Sequence, residues 1–321
     1  MSTAIQNPDG VAGEHRRSFS HVAVGVDGFD EGHDAARLGS ALATATGAEL
    51  LLAAVILDPL VVLPEQMNLS ALRKEAERAT HEVRDELAPG ARVVVESDLF
   101  VARGLERIIR REHRDLLVVG SSRHGHENEV MIGRCTRQLL HDAECALAVA
   151  PRGYRGHAHE IKRIAVGYDG GPEAAEALAL GAGIAAAAGG ELVVCGVVDD
   201  RARPFGWSRL GTGAVIVPAL GWEAIGSAGA NTDWEEVVDS ATDALGEHLK
   251  AATAGLGVQA HAEVRRGRPA AVLMDAGHDA DLIIIGSRRW GPVARLLLGS
   301  TGEALLHGAT CPVLVVPRPA D

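Results

Sequence analysis

At 321 residues, 47% of them hydrophobic and with a mean hydropathy of +0.08, the chain is long enough for two domains of roughly 150 residues and too apolar to be intrinsically disordered. Its 31 basic and 43 acidic residues give a formal net charge of −12, which argues against nucleic acid and anionic membrane as partners, and 3% aromatic residues leave little with which to stack bases. No apolar run approaches the roughly eighteen residues of a membrane helix, and the four cysteines at 135, 145, 195 and 311 lack CxxC spacing, as small core residues of a reducing compartment would.

In chain order, residues 1–18 contain Arg16 and Arg17 with no apolar stretch behind them, so they read as a disordered tail, neither signal peptide nor anchor, and a cytoplasmic location is expected. Short apolar runs at 21–27, 49–57, 91–97, 115–120 and 145–150 predict buried strands. Helix-length stretches at 31–46, 70–88, 103–113 and 133–143 separate them. Within the third, the basic run Arg107 to Arg114 reads as a solvated face, with Ile108 and Ile109 turned inward. Residues 153–160 read as a linker between a first domain at 19–152 and a second at 161–318. The second contributes strands at 162–168, 191–198, 259–265, 281–286 and 311–316, with helices at 172–188, 233–255, 269–278 and 299–308. Alternation of strand and helix predicts parallel α/β architecture.

The chain is internally duplicated. An offset of 142 lays His21-Val-Ala-Val-Gly-Val-Asp27-Gly28 over Arg163-Ile-Ala-Val-Gly-Tyr-Asp169-Gly170, and an offset of 166 lays Gly120-Ser-Ser-Arg-His-Gly125 over Gly286-Ser-Arg-Arg-Trp-Gly291. Over 120–152 against 286–318 thirteen of thirty-three positions are identical, where composition alone gives about two or three. The offsets differ by 24 residues, which places an insertion in the second copy at about 201–232. That stretch, with Trp234 just beyond it, holds Pro204, Phe205, Trp207 and Trp222. Those rings either cap the second core or form a partner surface, and burial discriminates between the two.

Ligands of open parallel sheets bind beyond the carboxyl ends of strands at the topological switch point. The first strand of each copy ends in Asp27-Gly28 or Asp169-Gly170. The fourth ends in Gly120-Ser121 or Gly286-Ser287, with Gly133 or Gly299 opening a helix thirteen residues later. Glycine there admits a phosphate close to backbone donors, or simply makes a tight turn. No P-loop is present, Gly181-Ala-Gly183 lies within an Ala-rich helix, and His124/His126 and His157/His159 lack companions at ligand spacing, so no metal site is expected.

These features, with Cys311-Pro-Val-Leu-Val-Val-Pro317 and the looser Cys145-Ala-Leu-Ala-Val-Ala-Pro151, resemble the universal stress proteins in tandem form over about 19–152 and 160–318. The resemblance implies two Rossmann-like (adenine nucleotide alpha hydrolase-like) domains, each a five-stranded parallel sheet with flanking helices. We expect the apolar edges 145–150 and 311–316 to pair antiparallel about a pseudo-twofold axis, as an intrachain version of a dimer. It further implies ATP, with or without Mg2+, as the ligand. In the second copy Asp169 and backbone around Val197 would meet ribose and adenine, with Gly286, Gly299, Ser300 and Thr301 on the phosphates. The first-copy counterparts are Asp27, Val55, Gly120 and Gly133. The family's second motif glycine is Arg123 in one copy and Arg289 in the other, which either fork phosphate oxygens or fill their space. Arg134 replaces the hydroxyl of Ser300, so the second copy is the better site. The implied function is a nucleotide-binding regulatory protein of the stress response, not an enzyme. A weak ATPase or nucleotidyl transferase and a nucleotide-free interaction module are the alternatives, and a second copy of the chain or another protein the candidate macromolecular partners.

Overall fold

A computed structural model describes residues 18–57, 69–142, 145–156, 160–200, 234–287 and 298–317. The tail 1–17, the insertion 201–232 with its aromatic residues, Arg289 and linker residues 157–159 lie outside them. The first half runs β1 (His21–Gly25), α1 (Asp30–Thr46), β2 (Glu49–Leu57), α2 (Leu69–Leu87), β3 (Arg92–Asp98), α3 (Val101–Arg111), β4 (Leu116–Gly120), α4 (Arg134–Asp142) and β5 (Ala146–Ala150). A 3-10 turn (Tyr154–Gly156) follows. The second half runs β6 (Arg163–Tyr168), α5 (Pro172–Ala188), β7 (Glu191–Val198), α6 (Trp234–Thr253), β8 (Gln259–Arg266), α7 (Pro269–Gly277), β9 (Leu282–Gly286), α8 (Ser300–Leu305) and β10 (Val313–Val316). Each strand and helix expected from the sequence is present, its ends shifted by a few residues at most.

The two five-stranded parallel sheets join through the expected edge pairing into one ten-stranded sheet in the order β3-β2-β1-β4-β5-β10-β9-β6-β7-β8. Alternate strand residues point to opposite faces. Val22, Val24, Leu116 and Val118 meet α1 and α2, and Ile164, Val166, Leu282 and Ile284 meet α5 and α6, in one core layer. Ala23, Leu51, Leu117 and Val119, with Ala165, Ile283 and Ile285, meet α3, α4, α7 and α8 in the other. The duplication reaches individual hydrogen bonds. The Asp115 carboxylate accepts the N–H groups of Ser20 and His21 at 3.0 Å each, and Asp281 accepts those of Lys162 and Arg163 at 2.9 and 2.7 Å.

Three local readings need refinement. Ile108 and Ile109 are buried as expected, but the basic run is more than a solvated face. Arg107 pairs with Asp98 at 2.7 Å and donates to Ser97 O at 3.0 Å, while Arg73 of α2 donates to Val95 O at 2.8 Å. Arg114 is buried against Glu49. Arginines thus occupy carbonyls of edge strand β3 that would otherwise invite another strand. The first residues of the expected linker are docked: Tyr154 is buried, and the N–H groups of Gly153 and Arg155 donate to Asp34 at 2.8 Å each. Trp234 is buried and its Nε1 donates to Asp200 O at 3.0 Å, so this ring caps the core. No helix among the described residues is long and apolar enough to cross a membrane.

The halves join where β5 pairs antiparallel with β10 in the register Val149 to Val313, Ala148 to Leu314 and Leu147 to Val315. Under the 166 offset Ala148 and Leu314 are equivalent positions, so the pseudo-axis passes between them, and both side chains are fully buried in the same layer. Arg137 and Glu303 are likewise equivalent, and they form an ion pair at 3.3 Å. Small faces large and plus faces minus at positions where identical halves would place like against like. Ala148→Leu should cost about 1–3 kcal/mol through overpacking and Leu314→Ala about 2–5 kcal/mol through a cavity. The double exchange should be less destabilised than the sum of the two, by about 1 kcal/mol or more, in urea denaturation of the full chain.

Candidate functional site

β1 and β4 are neighbours in the first half, as β6 and β9 are in the second. The chain leaves β1 toward α1 on one face of the sheet and β4 toward α4 on the other. A crevice therefore opens at the carboxyl ends of each strand pair, the switch point of an open α/β sheet.

Asp27 and Asp169 stand at these mouths, both exposed. Asp27 Oδ1 accepts the Phe29 N–H at 3.1 Å and Asp169 Oδ1 the Gly171 N–H at 2.9 Å, local turns that short acidic side chains favour. Gly28 and Gly170 complete them with φ of 75° and 81°, a region costly for residues with a Cβ. Gly120 and Gly286 line the crevice floors. A Cβ on Gly120 would lie 2.1 Å from Glu31 O, and one on Gly286 2.5 Å from Glu173 O. This approach of a strand end to the first turn of α1 or α5 requires glycine whether or not a ligand comes near.

In the first half, Ser121 is buried, its hydroxyl donating to Ala150 O at 2.8 Å and accepting the Met131 N–H at 3.2 Å. Ser122 N–H donates to Met131 O, which folds the loop back so that Gly133 faces Ser122. The same loop reaches the other half: Val130 N–H donates to Ala309 O at 2.8 Å and Ile132 N–H to Leu306 O at 3.1 Å. Arg123 crosses the crevice mouth. Its Nη2 lies 3.8 Å from Asp27 Oδ2 and its guanidinium carbon 3.7 Å from the centroid of the Phe29 ring. Asp27, Gly120, Arg123 and Gly133 are thus gathered in one place. Arg134 opens α4 as an exposed side chain, and Val55 is half-buried on β2, its side chain against Gly104 of α3.

In the second half, Val197 pairs in register with Arg265 and is half-buried. Gly299 precedes α8 with φ of −82°, and a Cβ built there meets nothing within 4 Å among the described residues. Ser300 is exposed and Thr301 half-buried.

A feature not singled out from the sequence is an apolar rim on the first crevice. Phe29, Leu57, Leu99 and Phe100, exposed by 44 to 57%, all stand at the carboxyl ends of β1, β2 and β3. Arg103 lies 5.5 Å from the Phe100 ring and pairs with Asp98 at 2.6 Å. The 142 offset places Gly171 and Asp199 opposite Phe29 and Leu57. The available signal was that two of the four phenylalanines sit at strand-to-helix junctions of an aromatic-poor chain.

No cysteine offers an activated thiolate. Burial pushes the thiol of Cys135 up to about 11 and those of Cys195 and Cys311 up to about 12, and Cys145 is buried. The native chain at pH 8 should release less than one equivalent of thionitrobenzoate from Ellman's reagent before unfolding, and all four in denaturant.

The universal stress protein family model matches residues 18–151 and 209–317. A universal stress protein of Mycolicibacterium smegmatis is 27% identical over 311 residues, covering 92% of this chain and 97% of its own length. One of Methanocaldococcus jannaschii is 32% identical over 161 residues, covering 49% of this chain and 83% of its own. The crystal structure of a universal stress protein from Archaeoglobus fulgidus superposes with a TM-score of 0.58 at 18% identity, covering 94% of this chain and 99% of that one, a likeness of fold. A duplicated α/β unit with strand-end Asp and Gly residues, matched by one family model in both copies, makes this chain a member of the universal stress protein family.

Proposed function

We propose that the second half binds ATP through Asp169, backbone near Val197, Gly286 and the turn Gly299-Ser300-Thr301, and that the chain is a cytoplasmic, nucleotide-responsive regulator in the stress response whose main work is not turnover. The observation that carries this reading is the state of the two mouths. Asp169 is exposed, and among the described residues nothing lies within 4 Å of a Cβ built on Gly299, whereas Arg123 reaches across to Asp27 in the first half. A hydroxyl at Ser300 and the backbone of its turn suit phosphate oxygens, and Mg2+ would be held chiefly by those oxygens and water.

Phosphoryl transfer needs carboxylates for the metal and a group to position the nucleophile. Glu303, in the first turn of α8, is engaged by Arg137 at the contact between halves, so Asp169 at the strand end is the carboxylate on which an ATPase reading would turn.

Titration calorimetry of the full chain with ATP, ADP and AMP, with and without Mg2+, tests the assignment. Gly299→Arg should weaken ATP binding at least tenfold by filling the turn, and Ser300→Ala about three- to tenfold by removing one charge-assisted hydrogen bond. Unchanged affinity in both variants would place the site elsewhere. Magnesium-dependent phosphate release abolished by Asp169→Ala would make the protein an ATPase instead.

A further inference from the structure

The two crevices share their charged residues but not their walls. Both copies have the strand-end aspartate, Asp27 or Asp169, and both have arginine three residues beyond the glycine of the fourth strand, Arg123 or Arg289. The first has an exposed ring two residues beyond the aspartate, Phe29, where the second copy has Gly171, while the second copy's Tyr168, just before Asp169, is buried. The ring is well held, because Phe29 is the residue before α1 and its backbone is tied on both sides. Its N–H donates to Asp27 at 3.1 Å, and its carbonyl accepts the N–H groups of Gly32 at 3.0 Å and His33 at 3.2 Å. His33 Nδ1 lies 2.8 Å from the same oxygen.

We propose that Arg123 is a built-in latch on the first crevice: seated on the Phe29 ring and beside Asp27, its guanidinium bridges the loops after β4 and β1, and a nucleotide enters only as that contact opens. This regulation rests on reading the crevices as nucleotide sites. The geometry supports it directly. The guanidinium carbon is 3.7 Å from the ring centroid, within the range of a cation held on an aromatic face. The ion pair at 3.8 Å adds a second, weaker attachment. Phe29 is half-exposed, and the side chains of Arg123 and Asp27 are 55% and 50% exposed, so water competes for both contacts and the latch is reversible. An entering nucleotide has to break both contacts before it reaches Asp27 and Gly120, so their strength is subtracted from its affinity. The first half therefore responds at higher nucleotide concentration than a crevice of the same design without the ring.

The test uses the full chain carrying Gly299→Arg, which silences the second site, titrated with MgATP by calorimetry. Phe29→Gly installs the residue of the second copy at a helix N-cap where glycine is well accepted, and should tighten first-half binding roughly five- to tenfold. Arg123→Ala should tighten it in the same direction, and Phe29→Leu, which keeps apolar bulk without a π face, should give a smaller gain. The proposal is overturned if Phe29→Gly leaves the affinity unchanged, or if Arg123→Ala weakens binding, which would make Arg123 a phosphate ligand. If the unmutated chain binds MgATP while the first-half variants change nothing, the latch alone fails. If neither the unmutated chain nor any variant binds at millimolar MgATP, the nucleotide reading fails with it.

Discussion

Everything in this molecule is arranged around the antiparallel pairing of β5 with β10. A five-stranded parallel sheet ending in Ala-Leu-Ala-Val-Ala or Val-Leu-Val-Val would present an unpaired apolar edge, the kind of surface that recruits other chains. Pairing the two edges within one chain removes both at once and merges two cores into continuous layers on each face. The outer edge at β3 needs a different remedy and has one in the side chains of Arg73 and Arg107, which engage its carbonyls. The central contact is also specified. Equivalent positions have diverged into Ala148 against Leu314 and Arg137 against Glu303, so small meets large and plus meets minus across the junction.

That antiparallel junction fixes where chemistry can occur. Within a half all strands run one way, so its crevice lies at one end of the sheet. Reversing direction at the junction puts the second crevice at the opposite end, and the two mouths are separate surfaces. The loop that carries Arg123 continues to Val130 and Ile132, whose N–H groups are anchored on Ala309 and Leu306 of the other half. The loop beside the first mouth is thus part of the contact between the halves.

The fold was largely legible in the sequence because buried strands of a parallel sheet are short, apolar and bounded by turns, and because the duplication checks every element twice. The edge pairing was legible from the terminal strands alone. What could not be read was long-range and electrostatic in origin. The run Arg107 to Arg114 has the composition of a solvated helix face; only the register of β3 brings Asp98 and Glu96 under it. The segment after β5 has the composition of a linker, yet Asp34, more than a hundred residues earlier, binds two of its N–H groups. At the site, the aspartates and glycines were legible from position. The sequence left open whether Arg123 reaches for a ligand or fills its place, since the answer depends on Phe29, a residue distant in sequence and joined to it by the adjacency of β1 and β4.

Gly120 and Gly286 show why such sites diverge in one half without losing the scaffold. Each is required by the contact of a strand end with the carbonyl of Glu31 or Glu173, so the crevice floor is fixed by packing and persists whatever the mouth becomes. Phe29, Arg134 and Ser300 are exposed and Gly171 is the residue before α5, so these positions lie outside that contact. Duplication therefore yields two identical floors under independently variable rims. Among the described residues one rim carries Phe29 and Arg123, and the other Gly171 and the exposed hydroxyl residue Ser300. Two crevices of the same construction, differing in what must be displaced before a ligand enters, would fill in sequence as nucleotide concentration rises. On the proposed reading of both crevices as nucleotide sites, a graded response needs no conformational change in the sheet, because a difference in affinity would reside in side chains at the two mouths.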